Sequence, residues 1–339
     1  MNTMLTNKSI LITGGNGFVA GHLADVLARA GNFVDLFDIA PNLSGTARSL
    51  NLHRNENIRY ISGDVLEPNC FSALEKHYDY VVHAAAILGI KRVCEESILT
   101  LDVNIMGTRN CLNYCSGLRG LKRVLMFSTS EVYGPSALAA NEDQDLVVAE
   151  HGMRWCYAVS KLATEQLTKA YHMEFGVPYV IVRPFNVYGP YREGSNAVSS
   201  FVKNAQKRQP IVLSDCGEQK RAWCYIDDFV DGLIRCLAMQ EACNQTFNIG
   251  NSSELYSIRE LAELVCQIVG VTDGEIRSSG SVEPDVKERS PNIEKAKRLL
   301  GFNPSVSLEQ GLRATIYPSE QSGPYAVRNG DAIDAAEAA

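Results

Sequence analysis

The sequence predicts an α/β protein, a doubly wound parallel sheet with a smaller C-terminal α/β lobe. Three observations carry this. Short apolar strand-like runs alternate with helix-like stretches from the N-terminus onward. A glycine-rich turn joins the first strand to the first helix. The regular alternation stops after Pro184. Repeated βα units imply parallel strands, right-handed crossovers and helices on both faces.

The elements follow in order. Ser9-Ile-Leu-Ile-Thr13 is a short apolar run and reads as a buried strand. Helical spacing of Phe18, Leu23, Val26 and Leu27 predicts a helix over 18–30, with Gly31 as its stop. Further strands are expected at 33–38, at 58–61 (ending in Gly63-Asp64), and at 80–84, 123–127 and 179–183. Helices are expected near 100–117 and 157–175. Gly, Pro and short polar loops break the pattern from 186 to 217, and helices return near 227–240, 257–269 and 292–300. The division expected is a cofactor domain over 1–184 with part of 219–250, and a substrate lobe over 185–318. The stretch 319–339, rich in Ala, Gly, Ser and acidic residues, reads as a flexible tail. No internal repeat is present.

A chain of 339 residues can bury a full α/β core. Its 45% hydrophobic and 21% charged residues are ordinary for a soluble protein. A net charge of −7 with no long basic run argues against nucleic acid as a partner. The ten cysteines contain no Cys-x-x-Cys pair, so no metal site is expected and reduced core thiols are. Neither a signal core nor an apolar span is evident, and the expectation is a cytoplasmic protein with no membrane contact.

Gly14, Gly15 and Gly17 sit between a strand and a helix. Without Cβ atoms the backbone can turn tightly and approach a pyrophosphate, and the helix start at Phe18 and Val19 supplies free NH groups. Ala20 replaces the third glycine of the usual fingerprint. Asp38 ends the second strand, where a carboxylate accepts hydrogen bonds from an adenosine ribose and repels a 2′-phosphate. This Rossmann-type pattern points to NAD rather than NADP. Asp64 and Val65, after the third strand, are placed to meet the adenine.

Tyr157 and Lys161 are four apart and share one helix face. A free phenol is a poor base at neutral pH, with a pKa of about 10. A nearby ammonium and a cationic nicotinamide would favour its phenolate. Thr129, at the end of the fifth strand, is placed to bridge a substrate hydroxyl. Such a set removes a hydroxyl proton while hydride leaves the same carbon.

Together these segments resemble the extended short-chain dehydrogenase/reductase family, in the branch acting on nucleotide sugars. The resemblance runs over about residues 8–316. It is carried by Thr13-Gly-Gly-Asn-Gly17, Gly63-Asp64, His83-Ala-Ala-Ala86, Val103-Asn-Ile-Met-Gly-Thr108, Ser128-Thr-Ser-Glu-Val-Tyr-Gly134, Tyr157-Ala-Val-Ser-Lys161 and Arg183-Pro-Phe-Asn-Val-Tyr-Gly-Pro190. Gln219-Lys-Arg-Ala-Trp-Cys-Tyr225 and Arg289-Ser-Pro-Asn-Ile-Glu-Lys-Ala296 extend it. The resemblance implies that Ala84, Asn104, Ser128 and Pro184 join the NAD site, the last two flanking the nicotinamide. It implies that Ser130, Asn186, Arg221 and Arg289 hold a nucleotide-diphosphate sugar, through its diphosphate, its nucleotide or its sugar acid, with Arg192 a further candidate. It also implies a homodimer through the helices near 100–117 and 157–175.

Members of this branch oxidise C4 of the sugar. Epimerisation, 4,6-dehydration and decarboxylation of a uronic acid are all open from the resulting ketone. Glu131 discriminates among them, because simple 4-epimerases resemble this chain less at that position than decarboxylases and dehydratases do. Asn141-Glu-Asp143 and Met153-Arg-Trp-Cys-Tyr157 are similar to the decarboxylase branch, as is Arg289. The expectation is therefore a UDP-glucuronate decarboxylase-like enzyme, with Thr129, Glu131, Tyr157 and Lys161 catalytic. The alternatives are a 4-epimerase, then a 4,6-dehydratase. A non-catalytic NAD-binding protein stands against the intact Thr129, Tyr157 and Lys161 set.

Overall fold

The computed structural model describes residues 4–75, 77–148, 152–194, 196–271, 276–280 and 286–318. The predicted tail, 319–339, lies outside the described residues. The strands are β1 (Ser9–Thr13), β2 (Phe33–Asp38), β3 (Ile58–Ser62), β4 (Tyr80–His83), β5 (Arg123–Phe127), β6 (Tyr179–Pro184), β7 (Val187–Tyr188), β8 (Ile211–Ser214), β9 (Lys220–Ala222), β10 (Cys224–Tyr225), β11 (Gln245–Ile249), β12 (Leu255–Ser257), β13 (Ile276–Ser279) and β14 (Glu288–Arg289). The helices are α1 (Phe18–Arg29), α2 (Gly45–Ser49), α3 (Ile90–Glu95), α4 (Ser97–Leu101), α5 (Gly107–Gly117), α6 (Cys156–Phe175), α7 (Ala197–Gln206), α8 (Ile226–Ala238), α9 (Ile258–Val269), α10 (Glu294–Leu300) and α11 (Leu308–Ile316).

Seven strands form the central sheet in the order β11-β6-β5-β4-β1-β2-β3, and each pairing is parallel. Strand order reverses between β1 and β4, so the crevice beyond their carboxyl ends is where such a sheet takes ligands. Residue alternation sends Ile10, Ile12, Val82, Leu125 and Val182 to one face, against α1 and α8. Leu11, Val81, Val124, Met126 and Ile181 go to the other face, where Cys111, Leu112 and Cys115 of α5 meet them. Each side chain of this kind, fully removed from water, contributes roughly 1.5–3 kcal/mol.

Several features differ from the sequence reading: α7 and β8 lie within 186–217, the stretch read as loops, and α2, α3 and α11 are not among the predicted elements. The helix expected at 100–117 is broken into α4, a π-helical turn over Asp102–Met106, and α5. The wider turn lies where the Asn104 carbonyl accepts from two hydroxyls, Thr108 Oγ1 at 2.6 Å and Thr164 Oγ1 at 3.3 Å. Strand β11 is not among the predicted elements, because Gln245, Thr246 and Asn248 interrupt its apolar run. Pairing with β6 decides its state.

Beyond β6 the chain builds small sheets: β7 with β10, β9 between β12 and β14, and β8 with β13. α9 and α11 begin with capping boxes, Ser257 with Glu260 and Ser307 with Gln310. No helix among the described residues is long and apolar enough to cross a membrane.

Candidate active site

At the carboxyl edge of the sheet lies a cleft of about 1200 Å³. The glycine turn forms its floor. Gly14 has φ +70°, and a Cβ there would stand 2.7 Å from the Ala85 backbone nitrogen. Gly17 caps α1 without any side-chain hydrogen bond, and no acidic residue stands in the first turn. The first NH groups of α1 thus meet the cleft beside Phe18 and Val19, which line it. Asp38 ends β2, where its Oδ2 accepts from the Asn16 backbone NH at 3.0 Å and its Oδ1 from that of Ala40 at 3.1 Å. Four lone-pair sites on a carboxylate leave room for a further donor. Asp64 Oδ1 accepts from the Leu66 NH at 2.9 Å, and Val65 packs against Gly107. Asp38, Asp64 and Val65 stand outside the cleft's immediate lining.

The reactive group sits where β5 ends and α6 begins. Ser128, Thr129, Ser130, Glu131, Tyr157 and Lys161 all line the cleft, together with Ala84, Pro184, Asn186, Arg192 and Arg289. Thr129 accepts from the Glu131 NH at 3.2 Å. Lys161 is buried and donates from Nζ to the Phe127 carbonyl at 2.9 Å, 5.9 Å from the centre of the Tyr157 ring. Burial lowers its ammonium to about 8.

Within the protein alone, the surroundings of Tyr157 pull in two directions. Burial raises the phenol well above its ordinary value, and the Glu131 carboxylate adds to the rise. Thr129 and the Arg192 guanidinium oppose it. Burial and Glu131 thus work against the phenolate, and positive charge beside the ring works for it.

The arginines are not equivalent. Arg289 is buried in the cleft wall, with Nη1 3.5 Å from Glu131 Oε1. Its Nε and Nη2 are shielded from water and have no hydrogen-bond partner. Those two atoms form the guanidinium edge that binds a carboxylate with two parallel bonds. Arg192 lies over the Phe18 ring, 5.3 Å from its centre, and donates to the Val187 carbonyl. Arg221 is buried in β9, where it donates to the carbonyls of Lys220 and Val286 at 2.8 Å each, and it is not in the cleft lining.

Asn104 is likewise outside the lining. Its amide bonds both backbone groups of Ile87 and the Ser160 hydroxyl, so it pins the loop after β4 to α6. Asn186 has φ +36°, lines the cleft and donates to the Ala222 carbonyl at 3.1 Å.

The sequence reading missed Lys91, Arg92, Glu95 and Glu96 around α3, and Glu193 and Asn196 opposite, all of which line the cleft mouth. The signal was available for α3, since it directly follows β4 at the switch point of the sheet. Among the described residues no group of three or more His, Cys, Asp or Glu is placed to hold a metal.

Known proteins resemble this chain in sequence and in fold. Residues 10–250 match the NAD dependent epimerase/dehydratase family. The UDP-N-acetyl-alpha-D-glucosaminuronate decarboxylase of Bacillus cytotoxicus is 36% identical over 321 residues, spanning 91% of this chain and 97% of that protein. UDP-glucuronic acid decarboxylase 1 of Xenopus tropicalis is 36% identical over 316 residues, 91% of this chain and 72% of that one. The crystal structure of Bacillus cereus UDP-glucuronic acid 4-epimerase, in complex with UDP-glucuronic acid and NAD, superposes with a TM-score of 0.80. It is 28% identical and the match covers 94% of this chain and 99% of that one. The matched span holds the glycine turn, the sheet edge and the Thr129, Tyr157 and Lys161 group, and the chain belongs to the NAD dependent epimerase/dehydratase family.

Proposed function

We propose that the protein is an NAD-dependent decarboxylase of a UDP-linked uronic acid, of the UDP-glucuronate class. The observation that carries this reading is Arg289: a buried guanidinium with an unsatisfied two-donor edge, 3.5 Å from Glu131, in the same cleft as Thr129 and Tyr157. Such an edge stabilises a carboxylate that reaches it, and a neutral sugar leaves it unpaired. The names of the decarboxylase relatives agree with it.

The residues fit NAD. Gly14 and Gly17 admit the pyrophosphate, the NH groups at Phe18 and Val19 face it, and Asp38 takes the adenosine ribose, with Asp64 and Val65 toward the adenine. Ala84, Ser128, Pro184 and Lys161 border the nicotinamide end. When bound, NAD supplies a hydride acceptor at the sugar's C4 and a positive ring beside Tyr157.

With the Lys161 ammonium and the positive ring beside it favouring the phenolate, Tyr157 takes the proton of the C4 hydroxyl, oriented by Thr129. Once C4 is a ketone, the C6 carboxylate belongs to a β-keto acid. Its C5–C6 bond breaks, the electron pair passes to the C4 oxygen, and carbon dioxide leaves. Thr129 and the Tyr157 phenol stabilise charge on that oxygen. Arg289 holds the carboxylate until the bond breaks, and Glu131 beside it manages the C5 proton. Ser130, Asn186 and Arg192 line the substrate's path, whereas Arg221 supports the strand that carries Arg289 by pairing alongside it.

A second copy of the chain fits the face made by α4, the π turn and α6, where Ile98, Leu99, Met106 and Val159 stand exposed.

Incubation of the protein with UDP-glucuronate and NAD, read by mass spectrometry and proton NMR, tests the reaction. Release of carbon dioxide and a UDP-pentose or its 4-ketone is the expected result. Unchanged mass with inverted C4 makes the protein an epimerase. UDP-N-acetylglucosaminuronate run in parallel reports the tolerance at C2.

A further inference from the structure

Behind the cleft wall a chain of buried polar groups leads away from Ser128, and beyond that residue the proposed chemistry does not use it. Ser128 donates its hydroxyl to Glu165 Oε1 at 2.5 Å. Glu165 lies one turn beyond Lys161 on α6 and takes Arg183 Nε and Nη2, at 2.8 Å each. Arg183 Nη1 donates to the Tyr133 hydroxyl at 2.8 Å, and that hydroxyl donates to Asn248 Oδ1 at 2.7 Å. Asn248 Nδ2 donates to the carbonyls of Ala140 at 2.8 Å and Asn292 at 3.2 Å. Each of these five residues is 2% exposed or less.

The direction of each bond is determined by chemistry. A guanidinium donates and cannot accept, so the Tyr133 oxygen accepts from Arg183 and spends its own proton on Asn248. Burial raises that phenol to about 12, so the proton stays. With Asn248 Oδ1 occupied, its NH2 faces two carbonyls, and the amide has one orientation.

At its far end the chain holds the segment after Arg289. Ala140 donates its NH to the Ser290 carbonyl at 3.0 Å, Asn292 to Ala140 at 2.7 Å and Ser290 to Ala137 at 2.9 Å. The Ala139 NH bonds Ser290 Oγ at 3.0 Å. Residues 290–292 are thus laced to 137–140. At its near end Tyr133 shares the 3-10 segment Ser130–Ser136 with Glu131. Both members of the Glu131–Arg289 pair are therefore located by one buried hydroxyl.

We propose that Tyr133, braced by Glu165 and Arg183 and linked through Asn248, is a positioning residue that sets Arg289 opposite Glu131 and so makes the cleft selective for a carboxylate on the sugar. The proposal rests on the uronate reading above. A buried ion pair gains little stability, because desolvation offsets its attraction. A network satisfied along its length holds one geometry instead.

Tyr133→Phe removes one oxygen. Calorimetric titration of the NAD-loaded protein compares UDP-glucuronate with UDP. Affinity for UDP is expected to stay within about twofold, while that for UDP-glucuronate falls by about tenfold or more, the effect of losing one hydrogen bond to a charged group. The KM for UDP-glucuronate rises with it. Independently of substrate, hydrogen exchange at the amides of Ala140 and Asn292 is expected to accelerate ahead of the central strands. Asn248→Asp is the second variant: it keeps an acceptor for Tyr133 but lacks the NH2 group, and it should reproduce both effects. Equal loss for the two ligands, or unchanged exchange in both variants, overturns the proposal. If the unaltered protein binds UDP and UDP-glucuronate alike, the uronate reading fails instead, and the exchange result alone decides whether Tyr133 positions 290–292.

Discussion

Lys161 shows what the site costs in stability. The residue is 2% exposed, and burial brings its ammonium from 10.5 to about 8. A folded-state pKa below the unfolded one penalises the charged form in the fold. That penalty is fully present below pH ~8 and is relieved as pH rises from ~8 to ~10.5, so stability rises across that window. At neutral pH it amounts to about 3 kcal/mol, less about 1 kcal/mol for the bond to the Phe127 carbonyl. Lys161→Met is expected to lose turnover yet gain about 2 kcal/mol at pH 7, with the gain gone near pH 10.5. Thermal melts of both proteins at the two pH values measure this. A variant no more stable than the parent at pH 7 would remove the basis for a charged, penalised lysine.

At the scale of elements, the β1–α1 turn depends on a missing side chain. Gly14 combines φ +70° with a backbone neighbour 2.7 Å from where a Cβ would stand. Neither Ala85 nor β4 can move without disturbing the sheet's central pairing. Gly14→Ala is expected to cost about 1–3 kcal/mol and to weaken NAD binding at least tenfold, because the same backbone must approach the pyrophosphate. Melting curves with and without NAD separate the two effects. Undiminished NAD affinity would mean that the turn does not carry the cofactor. The π turn makes a related point: it interrupts a helix at Asn104, whose amide then fastens the loop after β4.

Across the molecule, α1 meets the loop after β7 through His22. The ring is 1% exposed, and its Nε2 shares a hydrogen bond with the Pro190 carbonyl at 3.1 Å. Burial lowers it from 6.5 to about 4. Protonation therefore favours the unfolded chain. The stability it protects is fully present above pH ~6.5 and is lost as pH falls toward ~4, by about 3 kcal/mol in total. Denaturant titrations at pH 7, 5.5 and 4 are expected to show this decline, and His22→Phe to flatten it. A parallel decline in the variant would assign the acid sensitivity to other groups.

Much of this was legible in the sequence because its causes are local. Strands β1, β2 and β5 announce themselves as apolar runs, α1 by its spacing and Gly31, and the turn by glycines that no other residue replaces cheaply. Tyr157 and Lys161 face together by helix geometry alone. What required the tertiary structure depends on distant partners. β11 becomes a strand by pairing with β6. Asn104 and Arg221 fall outside the cleft because carbonyls elsewhere claim them. The rise of the Tyr157 phenol comes from burial and from Glu131, neither of which a local pattern shows. The sequence by itself determined the α/β class and the order of the chemical groups, since propensity and periodicity act over a few residues. Only the tertiary structure decided which groups share one cleft and in what charge state, because burial and hydrogen bonding depend on neighbours that the chain brings from as far apart as Glu131 and Arg289.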